Sequence, residues 1–205
     1  MDNTVFLLVL FSAVLHAIWN SMASKYKNKN VSIPAIVYGH VPACIVAVVI
    51  LPMPSIESFP YIILSALIHQ GYQNFLLTAY QTGKFTTVYP VARGFGPLVA
   101  TLLSIIFLGV YLKALTLISI LLISTGVILI GIFSKSVLKN YKILYTSLAT
   151  GVFIGMYSVV DGYGAKISMS AISYMSWVFI FSALFFPIIL KFRKQKNILK
   201  KTLTE

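Results

Sequence analysis

Of the 205 residues, 59% are hydrophobic and only 10% are charged, whereas a soluble globular domain carries about 25% charged residues. That composition excludes a soluble fold and turns the question of domain number into how many times the chain crosses a bilayer. The net charge of +12 does not make a nucleic-acid surface, because the lysines and arginines are spread over the breaks between apolar runs instead of sharing one solvated face.

A membrane-crossing helix needs about 20 mostly apolar residues, since every backbone N–H and C=O in hydrocarbon must be paired within the segment. Seven runs of that length follow one another, approximately over residues 4–23, 31–52, 59–80, 86–109, 114–133, 143–164 and 170–190. The apolar-polar alternation of a transmembrane barrel strand is missing, so the predicted fold is all-α, a polytopic bundle of seven spans.

The first run follows Asp2 rather than a basic residue and lacks a small-x-small cleavage pattern, so it reads as a retained helix and not as a signal peptide. It carries His16 and Asn20, one helical turn apart. The second run contains His40 and the single cysteine, Cys44, which leaves no intrachain disulfide to form. The third carries His69, Gln70, Gln73 and Asn74, and the spacings 69/73 and 70/74 project each pair on a common helix face.

In the fourth run, Pro90, Gly94, Gly96 and Pro97 surround Arg93. Two prolines remove two backbone donors, which predicts a kinked or broken helix at membrane depth, the kind of element from which transporters build midplane sites. The sixth run has a Gly151/Gly155 spacing suited to close helix packing and ends near Asp161.

Intramembrane charged and titratable groups are expensive, at least about 2.5–3.5 kcal/mol on insertion scales, and so are functional candidates by default. A rise of about 1.5 Å per residue puts His40 and Arg93 roughly 10–14 Å, and His16 and His69 roughly 12–17 Å, from the inner edge of the hydrocarbon. Four basic or titratable groups therefore share one layer. Asp161 falls nearer the outer edge, which disfavours a direct ion pair with Arg93.

Lys25, Lys27 and Lys29, then Lys84, then Lys135, Lys139 and Lys142, and finally the tail Lys191, Arg193, Lys194, Lys196, Lys200 and Lys201 fall on one side of the bilayer, against Lys113 and Lys166 on the other. Because basic loops are retained in the cytoplasm, the N-terminus is expected outside and the basic tail inside.

Sliding the chain on itself by 138 residues aligns Ala13 with Gly151, Trp19 with Tyr157, Asn20 with Ser158 and Ser32 with Ser170. That offset covers five spans, an odd number, so the second copy starts in the opposite orientation, as in an inverted-topology repeat. The division is residues 1–137 as a first five-helix repeat, and 138–205 as two helices of a second repeat with a basic cytoplasmic tail.

Three segments resemble the EamA-type branch of the drug/metabolite transporter superfamily. His16-Ala17-Ile18-Trp19-Asn20 is similar to its first-helix motif, Tyr89-Pro90-Val91-Ala92-Arg93-Gly94 with Pro97 to its fourth-helix motif, and Tyr157 with Asp161-Gly162 to its sixth. The resemblance runs from about residue 4 to 190. It implies ten helices in two inverted halves and alternating-access movement of small metabolites across the cytoplasmic (inner) membrane. It also places Tyr89, Pro90, Arg93, Gly94, Trp19 and Tyr157 near a central cavity. Three features depart from the family: the chain ends after seven predicted helices, Val110 stands where an acidic residue often follows Leu-Gly, and the N-terminus of family members is usually cytoplasmic.

The expected function is therefore transport of a small metabolite, anionic or zwitterionic because the layer is basic or neutral with aromatic neighbours. The expected pathway residues are His16, Trp19, Asn20, His40, His69, Gln73, Tyr89, Pro90, Arg93, Gly94, Tyr157 and Asp161. A second copy or complementary helices are expected to complete the pathway. The alternative is a truncated accessory or inactive membrane protein. Residues 170–190 contain no lysine for a retinal Schiff base, which excludes a seven-helix photoreceptor. Without an H-E-x-x-H motif or a Gly-rich nucleophile turn, an enzyme is not expected, and neither is a metal or cofactor.

Overall fold

The structure is a computed structural model that describes residues 3–25, 29–133 and 140–192. The side chains of His16, Trp19, Asn20, Lys25, Lys29 and Lys191 lie outside the described residues. So do Lys27, Lys135, Lys139, the boundary between 137 and 138, and the basic tail from Arg193 onward.

All regular structure among the described residues is helical: α1 (Asn3–Lys25), α2 (Lys29–Gly39), α3 (Val41–Ile50), α4 (Phe59–Thr82), α5 (Phe85–Leu108), α6 (Ala114–Ile132), α7 (Tyr141–Ile167) and α8 (Ala171–Phe192), with a 3-10 turn Ile56–Ser58 before α4. Within Phe85–Leu108, Ala114–Ile132, Tyr141–Ile167 and Ala171–Ile188 lie four helices long and apolar enough to cross a membrane. This is a membrane protein. The 24-residue α4 has the length of a span, but its His69, Gln70, Gln73 and Asn74 give it a polar middle.

The predicted runs map onto these helices with two differences. Residues 31–52 form two helices instead of one, divided at His40. Pro42, in the first turn of α3, cannot donate to the Tyr38 carbonyl, so the hydrogen-bond ladder is interrupted there. The run around Arg93, by contrast, is one continuous helix over Phe85–Leu108 with Pro90 and Pro97 inside it. Of the kink or break expected in the fourth run, the break is not there. Each proline removes a single bond, and the glycines that suggested unwinding serve packing: a Cβ on Gly94 would lie 3.0 Å from the Ser124 carbonyl oxygen of α6, and one on Gly96 would lie 2.6 Å from the Ile154 side chain of α7.

Helix α7 decides the arrangement. It is seated between α4 and α5, so these two consecutive helices pack extensively on α7 and hardly on each other. On the far side of α5 lies α6; on the far side of α4 lies α8, which also packs on α3, while α1 packs on α2. Close approach of α7 to α5 depends on Gly151 and Gly155: a Cβ at Gly151 would come within 2.9 Å of the Ala92 carbonyl oxygen, and one at Gly155 within 2.8 Å of the Ala100 nitrogen. Small residues at such crossings let backbones meet where lipid supplies no hydrophobic drive.

The apolar surface is turned outward, as a bilayer solvent requires. On α6 the exposed side chains include Leu115, Ile118, Leu122, Ile123 and Ile130, and on α1 they run from Phe6 to Leu15. Buried serines and threonines close back on their own helices: Thr146, Ser147 and Thr150 of α7 donate to the carbonyls of Lys142, Ile143 and Thr146. Gly109 ends α5 in the left-handed conformation (φ 60°), with the Val110 N–H returning to the Ser104 carbonyl, a cap that suits a residue without Cβ.

Replacing Gly155 by leucine forces α5 and α7 apart and is expected to lower stability by roughly 1–3 kcal/mol. Gly126→Ala, where a Cβ meets nothing within 4 Å, is the matched control. Thermal unfolding in detergent followed by circular dichroism reads both; equal midpoints would mean that the α5–α7 contact is not close.

Candidate functional site

Four helices bring their polar faces to one place. The α4 face contributes His69, Tyr72 and Gln73, α5 contributes Arg93, α7 contributes Tyr157 and α8 contributes Phe179 and Ser182, while His40 closes the end at the α2–α3 junction. Together with Ile36, Val37, Leu76 and Met175 they line a cavity of about 250 Å³. Such a volume lies just below the usual small-molecule range of roughly 300–1,000 Å³.

Its walls are aromatic. The His69 ring stacks on Tyr157 with centroids 4.3 Å apart and planes at 25°, and presents its edge to Tyr72 at 6.4 Å. Phe179 meets His69 edge-on at 6.1 Å and stacks with His40 at 5.2 Å. These are the offset-stacked and edge-to-face geometries that aromatic quadrupoles favour. His40 is otherwise held by a hydrogen bond from Nδ1 to the Ile36 carbonyl, 2.5 Å away.

Arg93 borders this cavity and a small crevice beside it lined by Tyr80, Tyr89, Ala92, Thr150 and Ile154. Its guanidinium carbon lies 5.6 Å from the centroid of the Tyr89 ring, within range of a cation–π contact, and the Tyr157 hydroxyl is a hydrogen-bonding neighbour. The cation is thus surrounded by tyrosines, and one side of it faces open volume.

Next to the cavity on the α8 side, Gln70 donates from Nε2 to the Ser182 carbonyl at 2.8 Å and to the Ser182 hydroxyl at 2.9 Å. Because a carbonyl only accepts, these bonds fix which way the amide points. Gln73 reaches the same hydroxyl at 3.4 Å. The buried Oε1 atoms of Gln70 and Gln73 have no hydrogen-bond partner among the described residues.

Asp161 stands one turn beyond Tyr157 on α7. The Tyr174 hydroxyl donates to its Oδ1 at 3.2 Å, and Ser65 of α4 is a further polar neighbour. Tyr174 comes this close because Gly164 offers no side chain: a Cβ there would lie 2.5 Å from the Tyr174 ring.

Of the residues singled out in the sequence, the structure therefore gathers His40, His69, Gln73, Arg93 and Tyr157 around one cavity and sets Tyr89 in the adjoining crevice. Asp161 is joined to the group through Ser65 and His69. Gly94 turns toward α6, and Pro90 is on neither lining. Tyr72, Phe179 and Ser182 belong to the cavity and were not singled out. A lone hydroxyl or ring in an apolar run carries no signal of its own until the opposing helix is known.

The Gln70–Ser182 bond ties α4 to α8. A double-mutant cycle with Gln70→Leu and Ser182→Ala is expected to show a coupling of about 0.5–1.5 kcal/mol in thermal stability; strictly additive losses would place the bond elsewhere.

No family model, no curated protein and no solved structure matches this chain.

Proposed function

We propose that this protein is an integral-membrane transporter of small metabolites, of the EamA type, and that the cavity bordered by Arg93 is its substrate site. The carrying observation is a guanidinium that borders open volume inside a bundle of membrane-length helices, a placement costly in hydrocarbon unless it serves a ligand or a pathway. A guanidinium offers paired donors to a carboxylate or phosphate. Gln73 lines the same cavity, and the rings of His69, Tyr72, Tyr157 and Phe179 give it aromatic walls. These three features together favour an anionic or zwitterionic ligand of few heavy atoms over a cation, whose binding calls for a carboxylate on the lining.

In this reading residues 1–137 form the first repeat and 138–205 open an inverted second one, with the N-terminus outside according to the basic residues. Helices from a second copy or from further chain complete the pathway in the inner membrane, and alternating access proceeds by rocking one group of helices against the other. Tyr157 and Arg93 then carry the gating contact, because α7 and α5 belong to different repeats and meet at the glycine crossing.

The test is flux into proteoliposomes carrying the full chain, with a panel of labelled small carboxylates and amino-carboxylates. Removing a charge-assisted bond worth about 1.5–3 kcal/mol by Arg93→Ala is expected to lower uptake of the accepted substrate roughly 10- to 100-fold, with Arg93→Lys intermediate. Undiminished uptake in Arg93→Ala removes the site; uptake of nothing on the panel, with or without a co-expressed partner, favours an accessory membrane protein.

A further inference from the structure

The Arg93 cavity accounts for the His69 ring but not for Ser65 and Asp161, which lie with His69 between α4 and α7. Nδ1 of His69 is 3.0 Å from the Ser65 carbonyl oxygen and 3.2 Å from the Ser65 hydroxyl. The carbonyl can only accept, so Nδ1 carries a hydrogen and donates it. The Ser65 hydroxyl then receives from Nδ1 and keeps its own hydrogen for another acceptor. The Asp161 carboxylate is the acidic neighbour of that hydroxyl, and on its other side it takes the Tyr174 hydroxyl at 3.2 Å. Ser65 is fully buried and His69 nearly so, at 7% exposure. The far nitrogen of the ring, Nε2, has no hydrogen bond among the described residues, and the ring lines the cavity.

We infer that His69, Ser65 and Asp161 form a proton-binding relay that connects the cavity to the α7–α8 end of the bundle. The step balances without any other reactant. A proton from the cavity forms an N–H bond at Nε2; the Nδ1–H bond breaks as its hydrogen passes to the Ser65 oxygen, and the former Ser65 hydrogen forms the O–H bond of an Asp161 carboxylic acid. Neutral histidine and serine are regenerated, the ring in its other tautomer, and one proton has moved from the cavity side to Asp161.

Around the relay, among the described residues, α4 adds Tyr72 and α5 adds Arg93 and Tyr89. Helix α7 adds Tyr157, α8 adds Tyr174, the α2–α3 junction adds His40, and the 3-10 turn packed on α4 and α7 carries exposed Glu57. Arg93 is the permanent cation in this set and Asp161 the acid held by hydrogen bonds. A proton taken up here thus alters the charge beside Arg93, which makes proton binding and anion binding at the cavity mutually favourable by linkage. The relay rests on the transport reading only for what the cavity receives.

The test needs no transported substrate. The full chain in phosphatidylcholine vesicles is titrated by infrared spectroscopy in D2O, and the carboxylic acid C=O band that disappears in Asp161→Asn is followed against pH. In His69→Gln and in the smaller change Ser65→Ala, the titration of that band is expected to be displaced by about one pH unit or more, with the amide I band of the same spectra reporting intact helix. Displacement in either helical variant supports the relay; profiles identical to the parent in both overturn it. Flux that depends on Arg93 together with undisplaced profiles removes the relay and leaves the transport reading standing, whereas displaced profiles without flux do the reverse.

Discussion

The structure depends on one constraint: a polar group surrounded by hydrocarbon has no water to fall back on and must find its partner inside the protein. In a soluble helix the apolar stripe decides which side faces inward. Here nearly every side of every helix is apolar, and the few polar side chains decide instead. On α4 the polar set of Ser65, His69, Gln70 and Gln73 turns toward α7 and α8, and Ile63, Leu64 and Leu67 of the same helix are left to the lipid. Helix α6 contributes one fully buried hydroxyl, Ser124, and is otherwise mostly exposed.

Such a constraint chooses faces but not neighbours. The neighbours are chosen by glycine. Gly151 and Gly155 let α7 press its backbone against α5, and Gly71 of α4 would, with a Cβ, run into the Phe153 ring of α7. The seating of α7 between α4 and α5 follows from these positions, and from it follows the site. His69, about one turn from Gln73 and Tyr72 on one helix and far from Tyr157 in sequence, becomes the ring on which Tyr157 stacks. Arg93 gains Tyr157 from the same displacement. Packing residues thus assemble the chemistry without taking part in it.

In the proposed reading the assembled group has two halves with different tasks. On the α5 side sits a cation enclosed by tyrosines and bordering open volume; on the α8 side sits an acid reached through a serine and an imidazole. His69 belongs to both, one face on the cavity and Nδ1 on Ser65. A residue shared in this way suits the proposed coupling, in which occupancy of one half would be felt in the other without a large motion.

How far the sequence determined this can be judged residue by residue. It determined the helices: the apolar runs appear as α1 and α4 to α8 within a few residues of the predicted bounds, and four of them, α5 to α8, are long and apolar enough to cross a membrane, because span length is set by hydrocarbon thickness and needs no tertiary information. It marked His40, His69, Gln73 and Arg93 as costly in lipid and therefore inward; all four line the cavity, but His40 stays exposed. It misplaced the interruption, because a proline states only which bond is lost; at Pro90 and Pro97 the flanking turns are held by α6 and α7, and at Pro42 the ladder gives way beside His40. Only the tertiary structure decided that Asp161 meets Ser65 and Tyr174, that Gly94 serves α6, and that Tyr72, Phe179 and Ser182 complete the cavity. Periodicity tells which residues share a face, and which faces meet is decided by backbone approach between segments far apart in the chain, such as Gly94 with Ser124 and Gly151 with Ala92, a property of pairs of helices that no single helix carries.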